Sequence, residues 1–215
     1  LKVLFVMFMK KGLRAKGPSA TRESEEHILS IIQSLCRYCS GTAVARVLNK
    51  FMENRFEKLE RLLEMHVEYA EAVREADSAR LTNQTQKIDR ALDVDDEEQL
   101  FLDRCDAGLF TLQQACLVLV RLANMGNRQA TDEICKLVNV KGVPLTDVCD
   151  TLHEYCSHLD TSAKDEHEDI NRFIKFLVHR HGGDAAVKAL AKRLGGAAEE
   201  EQGKGEKEVR EEEQE

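Results

Sequence analysis

The sequence of 215 residues has no tryptophan, only two prolines and few aromatic side chains. Leucine, alanine, glutamate, lysine and arginine are abundant instead, and side chains of these types lose little rotamer freedom in a helix. Apolar residues recur at helical spacing along most of the chain, and no segment is typical of a strand. The composition therefore disfavours a sheet and predicts an all-α protein.

Long apolar runs are also lacking. The opening run, Val3 to Met9, is far too short to span a bilayer and lacks a small-residue cleavage site. We therefore expect a soluble protein that does not associate with membranes. The chain starts on a leucine inside an apolar helical pattern, so we expect further residues to precede it.

Basic residues do not outnumber acidic ones in this chain, which has 31 lysines and arginines against 39 aspartates and glutamates. The formal net charge is −8, and nine glutamates stand against three basic residues from Gly195 onward, so the rest of the chain is nearly neutral. A nucleic-acid-binding domain would carry a basic face, so we predict no direct nucleic-acid site. We interpret the Glu-rich end as a disordered, solubilising tail. Competition of this tail with a partner for a binding groove is the alternative.

The cysteine pattern disfavours a disulfide framework. The seven cysteines, an odd number, lie within apolar helical patterns, which is typical of reduced thiols in cytosolic or nuclear proteins. Cys36 and Cys39 form a CxxC without a second ligand pair, so burial is the preferred interpretation. Cys149, His153 and Cys156 share one helical face. They could hold zinc with a fourth ligand, but packing is again preferred.

The signatures of enzymes are missing as well. The sequence has no phosphate-binding loop, dinucleotide fingerprint, HExxH motif or serine elbow. Its carboxylates lie beside lysine and arginine at helical spacings, where ion pairing is the ordinary explanation. We therefore predict an interaction protein that is not an enzyme and needs no cofactor or metal.

Capping residues set the predicted helix limits. The predicted helix starts are Ser24, Asn54, Asn127 and Pro144. Glu57 follows Asn54 at the third helical position, as in a capping box. Residues 12–22 and 79–96 are weakly patterned and predict a loop and a connection.

Charged residues lead into the most apolar helix. Asp103 to Asp106 precede a run that is apolar nearly all round from Leu109 to Leu122, the pattern of a helix enclosed by neighbours. Activation of Cys105 would need a base or cationic surroundings. We therefore interpret residues 103–106 as the polar head of the buried helix, and Gly108 and Phe110 as packing residues.

Short helices alternate with longer ones in units of roughly the armadillo or HEAT repeat length. Each pair cannot bury its apolar face alone, so stacking completes the core. We predict an armadillo-like α-solenoid over residues 1–181, with an irregular bundle as the alternative. Residues 182–215 are predicted to hold a short helix and the Glu-rich low-complexity tail.

Several segments resemble the C-terminal armadillo-repeat portion of the beta-catenin-like protein 1 family. They are LKVLFVMFMKK, ESEEHILSIIQSL, RVLNKFMENRFEKLERLLEMHVEY and FLDRCDAGLFTLQQAC. The likeness runs, with gaps, from Leu1 to about Val178. It is weaker in residues 12–22 and 79–96, and the Glu-rich tail is not part of it.

This resemblance implies a right-handed superhelix of armadillo type, with further repeats before Leu1. Members of the family are nuclear and associate with the spliceosome through the nineteen complex. They bind basic, nuclear-localisation-like segments of a Myb-type splicing factor, other splicing proteins and, in vertebrates, activation-induced deaminase. No enzymatic activity is attached to the family. We expect the same location and partners here, and self-association stays open.

A short helix, Thr42–Glu53, carries the candidate binding residues on its less apolar side. The predicted partner-binding residues are Arg46, Asn49, Lys50 and Glu53. Armadillo proteins generally hold extended peptides with asparagines of an inner-groove helix, and acidic side chains would steer a basic segment. A capping or packing role is the alternative for Asn49. Glu57, Glu60 and Glu64 are interpreted as a solvated face.

The rival function is structural docking inside a large nuclear assembly, without peptide recognition by this region. Exposed leucine, phenylalanine or methionine on the final helices would favour docking. A conspicuous acidic groove would favour peptide recognition.

Overall fold

Eight helices and no strand make up the residues that the computed structural model describes, which are 1–9, 17–85, 94–160 and 163–181. The helices are α1 (Lys2–Phe8), α2 (Pro18–Tyr38), α3 (Gly41–Thr85), α4 (Val94–Ala107), α5 (Leu109–Asn124), α6 (Arg128–Val140), α7 (Leu145–Ser157) and α8 (Lys164–His181). The prediction of an all-α protein is confirmed. The calls on residues 182–215 lie outside the described residues.

The helix α5 lies at the centre of the core. It is apolar nearly all round, as predicted, and it contacts α2, α3, α4, α6 and α7. Leu117 and Leu119 are each only 1% exposed. Since burying one leucine side chain contributes about 1.5–3 kcal/mol, this helix supplies much of the hydrophobic stabilisation.

The chain divides within α8 into two compact units, residues 1–173 and residues 174–215. The first unit holds α1 to α7 and the N-terminal part of α8. Of the second unit the structure describes residues 174–181, which are helical. The boundary predicted after residue 181 coincides with the end of the described residues and stays a prediction.

Three phenylalanines hold α1 against the first part of α3. The ring centroid of Phe51 lies 5.2 Å from that of Phe5 and 6.1 Å from that of Phe8, and both pairs meet edge to face. Such pairs contribute about 0.5–1.5 kcal/mol beyond their burial. Because α1 has only 7 residues, this cluster rather than intrinsic propensity stabilises it.

A buried polar network joins α2 to α3. The carboxylate of Glu25 accepts hydrogen bonds from Nη2 of Arg61 at 2.6 Å and from the hydroxyl of Tyr69 at 2.8 Å. Burial, and then the bond to Glu25, raise the pKa of the Tyr69 hydroxyl. A buried charge left without its partner would cost several kcal/mol, so these bonds fix how the two helices meet.

Arginines attach the N-terminal part of α8 in the same way. Glu166 is buried, with its carboxylate 2.7 Å from Nη1 of Arg37 and 3.6 Å from Nη2 of Arg121. Arg121 also pairs with Asp169. Charged side chains therefore form part of the interior contacts of this fold.

Gly108 joins α4 to α5. Its φ is +104°, and a Cβ at this position would lie 2.4 Å from Cδ1 of Tyr69. The predicted packing role of Gly108 is confirmed. The predicted packing role of Phe110 is wrong, because this side chain lies on the outer side of the first turn of α5 and is 43% exposed.

Within the described ranges, no single helix is long and apolar enough to cross a membrane. The segments Glu98–Ala107 and Leu109–Asn124 meet at an angle of 67°. Only the two together, as a bent pair, have the length and apolar composition of a membrane span. A buried core helix such as α5 has the same composition.

The start of α2 was predicted wrongly. The helix begins at Pro18, so Ser24 lies inside it and its hydroxyl donates to the carbonyl oxygen of Ala20 at 2.7 Å. Proline at the first helical position is a strong start signal, and it lies within the predicted loop 12–22. Residues 12–16 of that loop lie outside the described residues.

The predicted boundary between the next two helices is confirmed at its position, but the backbone there differs from the predicted helix cap. α3 is broken at Glu53–Phe56, where Asn54, Arg55 and Phe56 have positive φ. The predicted cap is wrong, since the amide of Asn54 donates to the carboxylate of Glu57 at 2.6 Å. A residue with left-handed backbone cannot occupy the extended conformation of an N-cap.

Two other predicted starts are confirmed. Oδ1 of Asn127 accepts a hydrogen bond from the backbone nitrogen of Ala130 at 3.0 Å and caps α6. Pro144 directly precedes α7. The predicted connection 79–96 is too long, because α3 continues to Thr85 and α4 begins at Val94.

Candidate functional site

The first part of α3 presents the predicted binding residues together on one face. Arg46, Asn49 and Glu53 are exposed and Lys50 is half-buried. On the opposite side the helix is held by buried apolar residues, which are Val47, Leu48 and Phe51. Positions three and four apart on a helix point in the same direction, which explains why the four polar side chains share one surface.

Lys50 and Glu53 form an ion pair within this face. Nζ of Lys50 donates to both carboxylate oxygens of Glu53, at 2.7 Å and 2.9 Å. Across the break in α3, Nζ of Lys58 lies 3.6 Å from the same carboxylate. The hydrogen bond from Lys50 lowers the pKa of the Glu53 carboxyl. The pair is exposed and adds little stability, but it largely neutralises both charges.

Arg46 and Asn49 are left available for a ligand. Within the described residues neither side chain makes a hydrogen bond or an ion pair. Asn49 lies inside the helix and is exposed, so it neither caps nor packs, which makes that alternative interpretation wrong. An amide side chain carries two donors and one acceptor oxygen, so it can pair with both polar groups of an extended backbone.

Beyond the break, α3 carries a row of glutamates that we call the acidic ridge. Its members are exposed and have no ion pair within the described residues; they are Glu60, Glu68, Glu71 and Glu75. Glu64 belongs to the same row but pairs with Lys141 at 3.0 Å. These positions recur every three or four residues and extend over about 22 Å of helix. The ridge therefore concentrates negative charge along one line.

The sequence predictions covered only part of this ridge. Glu60 and Glu64 are exposed, as predicted, whereas Glu57 is partly buried and bonded to Asn54. The last three members of the ridge were missed. The helical spacing of these glutamates could have predicted the row. The sequence does not show the break at residues 53–56, and this break determines where the row starts.

Two of the charged residues before α5, Asp103 and Arg104, form ion pairs with other helices. Asp103 to Asp106 lie at the C-terminal end of α4, not at the head of α5, so that prediction is wrong. Asp103 accepts a bond from Arg80 at 3.0 Å, and Arg104 binds Glu154 at 3.0 Å. These pairs connect α4 to α3 and α7.

Cys105 is not an activated thiol. Burial, and then the nearby Asp106 carboxylate, raise the pKa of Cys105. Because the thiolate is the reactive form, a raised pKa lowers its reactivity at neutral pH. Burial and the Asp106 carboxylate therefore make this cysteine less nucleophilic, in agreement with the interpretation that Cys105 is not activated.

Cys36, Cys149 and Cys156 are in surroundings that disfavour their ionised form. Cys36 and Cys149 are buried, whereas Cys39, Cys156 and His153 are half-buried. Burial raises the pKa of Cys36 to about 12 and the pKa of Cys149 and of Cys156 to about 11. In the described ranges, no group of three or more His, Cys, Asp and Glu residues is arranged to hold a metal ion.

Comparison with known proteins gives one family. Residues 1–153 match the family described as catenin-beta-like, Arm-motif containing nuclear. Over 162 residues the chain is 35% identical to beta-catenin-like protein 1 of Bos taurus and of Homo sapiens, which covers 74% of this chain and 29% of each relative. A homolog of that protein in Schizosaccharomyces pombe is 30% identical over 171 residues, or 78% of this chain. The chain spans less than a third of the length of these relatives.

Proposed function

Because the chain belongs to the catenin-beta-like, Arm-motif containing nuclear family, we propose that it acts in the nucleus as a non-enzymatic scaffold in pre-mRNA splicing. Its ligands are basic, nuclear-localisation-like or helical segments of splicing proteins, including the Myb-type subunit of the nineteen complex. The family supports the nuclear scaffold. The assignment to splicing follows the resemblance of the segments described above.

The observation that carries the proposal is the unpaired Asn49 amide beside Arg46 on a fixed helix. An extended ligand would pair its backbone N–H and C=O groups with the amide of Asn49. Arg46 would donate to a carbonyl oxygen of the same ligand. A lysine or arginine of the ligand would compete with Lys50 for the carboxylate of Glu53, which is exposed.

Rigidity favours this surface as a binding site. Phe51 lies on the opposite side of the same helix and is locked by the rings of Phe5 and Phe8. A preorganised helix loses little backbone entropy when the ligand binds. The acidic ridge would raise the local concentration of a basic ligand and speed its association.

The rival function, docking through the final helices, has less support. In the described parts of α7 and α8 no large apolar side chain is exposed. The exposed apolar residues nearest to the C-terminus in the described ranges are Val140 on α6, and Phe101, Leu102 and Phe110 earlier in the chain. Peptide recognition by α3 therefore remains the preferred function.

A pulldown from nuclear extract with the 215-residue chain, quantified by mass spectrometry, tests the proposal. We expect the unmodified chain to recover nineteen-complex proteins and Asn49→Ala plus Glu53→Arg to lose them. The matched control is Gln129→Ala plus Glu168→Arg, which removes one side-chain amide and reverses one glutamate charge at exposed positions of α6 and α8. Equal recovery by all three proteins, or no splicing protein with any of them, would refute the proposal.

A further inference from the structure

The helix α4 turns a charged side chain toward its neighbours and exposes two apolar ones. Arg104, whose side chain is 23% exposed, bonds Glu154 of α7, whereas Asp103 bonds Arg80 of α3 with a side chain that is still 41% exposed. Phe101 and Leu102 point away from the core and are 42% and 48% exposed. Packing among the described residues leaves these two adjacent large apolar side chains on the solvent side.

Carboxylates flank this apolar pair on both sides. Glu98 lies one turn before Phe101 and Leu102, and Asp106 lies one turn after Leu102, so the four share one face. Both carboxylates are exposed, and neither makes an ion pair with another described residue. We call these four residues the outward face of α4. It combines an apolar centre with two unpaired negative charges.

The ring of Phe101 also contacts the ring of His158. Its ring lies 5.7 Å from that of His158, between centroids, with the planes inclined by 35°. His158 follows α7 and its Nδ1 lies 2.8 Å from the carbonyl oxygen of Glu154. A fixed, half-exposed aromatic ring loses little entropy on binding and is a frequent anchor of protein interfaces.

We propose that the outward face of α4 is a second docking surface, separate from α3, for an amphipathic helix of another protein. The partner helix presents apolar side chains to Phe101 and Leu102. It carries lysine or arginine one turn before and after them, opposite Glu98 and Asp106. The charges at the two ends set the register, and the apolar centre supplies most of the affinity.

The test uses a synthetic amphipathic helical peptide with leucine and phenylalanine at i, i+3, i+4 and i+7 and with flanking lysines. Fluorescence anisotropy measures its binding to the 215-residue chain. We expect saturable binding that Phe101→Ser plus Leu102→Ser weakens by at least about tenfold. Val140→Ser, another exposed apolar position, should leave the affinity unchanged. Far-ultraviolet circular dichroism checks that each variant is folded.

Charge-reversal substitutions distinguish specific binding at this surface from non-specific hydrophobic binding. Glu98→Lys plus Asp106→Lys should weaken the lysine-flanked peptide and strengthen an otherwise identical glutamate-flanked peptide. No saturable binding, or the same affinity in the serine variant, would overturn the proposal. So would a concentration-dependent dimer in sedimentation that the serine substitutions dissolve, since the occupant would then be a second copy of the chain. Asn49 variants should bind this peptide normally, so the outcome does not depend on the function of α3.

Discussion

The helices α4 and α5 follow each other through Gly108 and use their side chains in opposite ways. α5 buries apolar residues on nearly every side, whereas α4 directs Arg104 toward Glu154 of α7 and exposes Phe101 and Leu102. α5 gains its position from the hydrophobic effect. α4 gains much of its position from ion pairs with residues far away in the chain. Hydropathy therefore predicts burial for the first helix and fails for the second.

The largest expected effect is a difference in unfolding free energy between truncating a leucine of α5 and truncating a leucine of α4. Leu119→Ala in α5 should lower the free energy of unfolding by about 2–5 kcal/mol, because it leaves a cavity at a fully buried position. Leu102→Ala in α4 should change it by no more than about 0.5 kcal/mol. Urea unfolding followed by circular dichroism measures both. Equal losses would show that α4 is packed like α5.

A substitution at Gly108, between α4 and α5, should strain the backbone without changing a residue of either helix. Gly108→Ala should cost about 2–3 kcal/mol, since its Cβ would overlap the ring of Tyr69 and its φ of +104° is unfavourable for alanine. Gly126→Ala is the control, because its φ is also positive but nothing lies within 4 Å of the added Cβ. Thermal unfolding compares the two variants. If both lose the same amount, the contact with Tyr69 contributes nothing.

A buried histidine in α3 extends the comparison, because unlike Arg104 it has no hydrogen-bond partner among the described residues. His66 is 1% exposed and faces Arg74 and Asp147. Burial lowers the pKa of His66 to about 4. Below about pH 6.5 the unfolded chain binds a proton that the folded chain does not, so stability falls as the pH falls toward 4.

This histidine should make the fold sensitive to acid. We expect the chain to lose about 2 kcal/mol of unfolding free energy between about pH 7.5 and about pH 5 from this group alone. His66→Leu should remove that part of the pH dependence, whereas replacing the exposed His158 with glutamine should not. Urea titrations at several pH values provide the measurement. An unchanged pH profile in His66→Leu would contradict the account.

The smallest effect concerns the ion pairs of α4. Arg104→Met should cost about 1–2 kcal/mol, because it leaves the partly buried carboxylate of Glu154 without its partner. Arg128→Ala removes an exposed pair with Asp132 and should cause no measurable change. A loss in both variants, or in neither, would remove the distinction between inward and surface ion pairs.

The sequence predicted the parts of the molecule that depend on local pattern. The periodicity of α5 and the cap at Asn127 are each encoded within a few residues. The surface formed by Arg46, Asn49, Lys50 and Glu53 was also predictable, since helical spacing alone places them together. Their role as a binding site stays a prediction.

Other features depend on residues that are distant in the sequence. The ion pairs of Asp103 and Arg104 need partners at residues 80 and 154, which no local pattern reveals. The start of α2 was missed because Pro18 was assigned to a loop. The broken segment Glu53–Phe56 places three non-glycine residues at positive φ, a conformation that propensity disfavours.

The central claim is that the exposed face of α3 binds a basic peptide, and a direct titration tests it. The measurement is fluorescence anisotropy of a labelled peptide rich in lysine and arginine, with the 215-residue chain as titrant. We predict saturable binding that weakens by at least about tenfold in Asn49→Ala plus Glu53→Arg and stays unchanged in Gln129→Ala plus Glu168→Arg. The same affinity in all three proteins would contradict the claim.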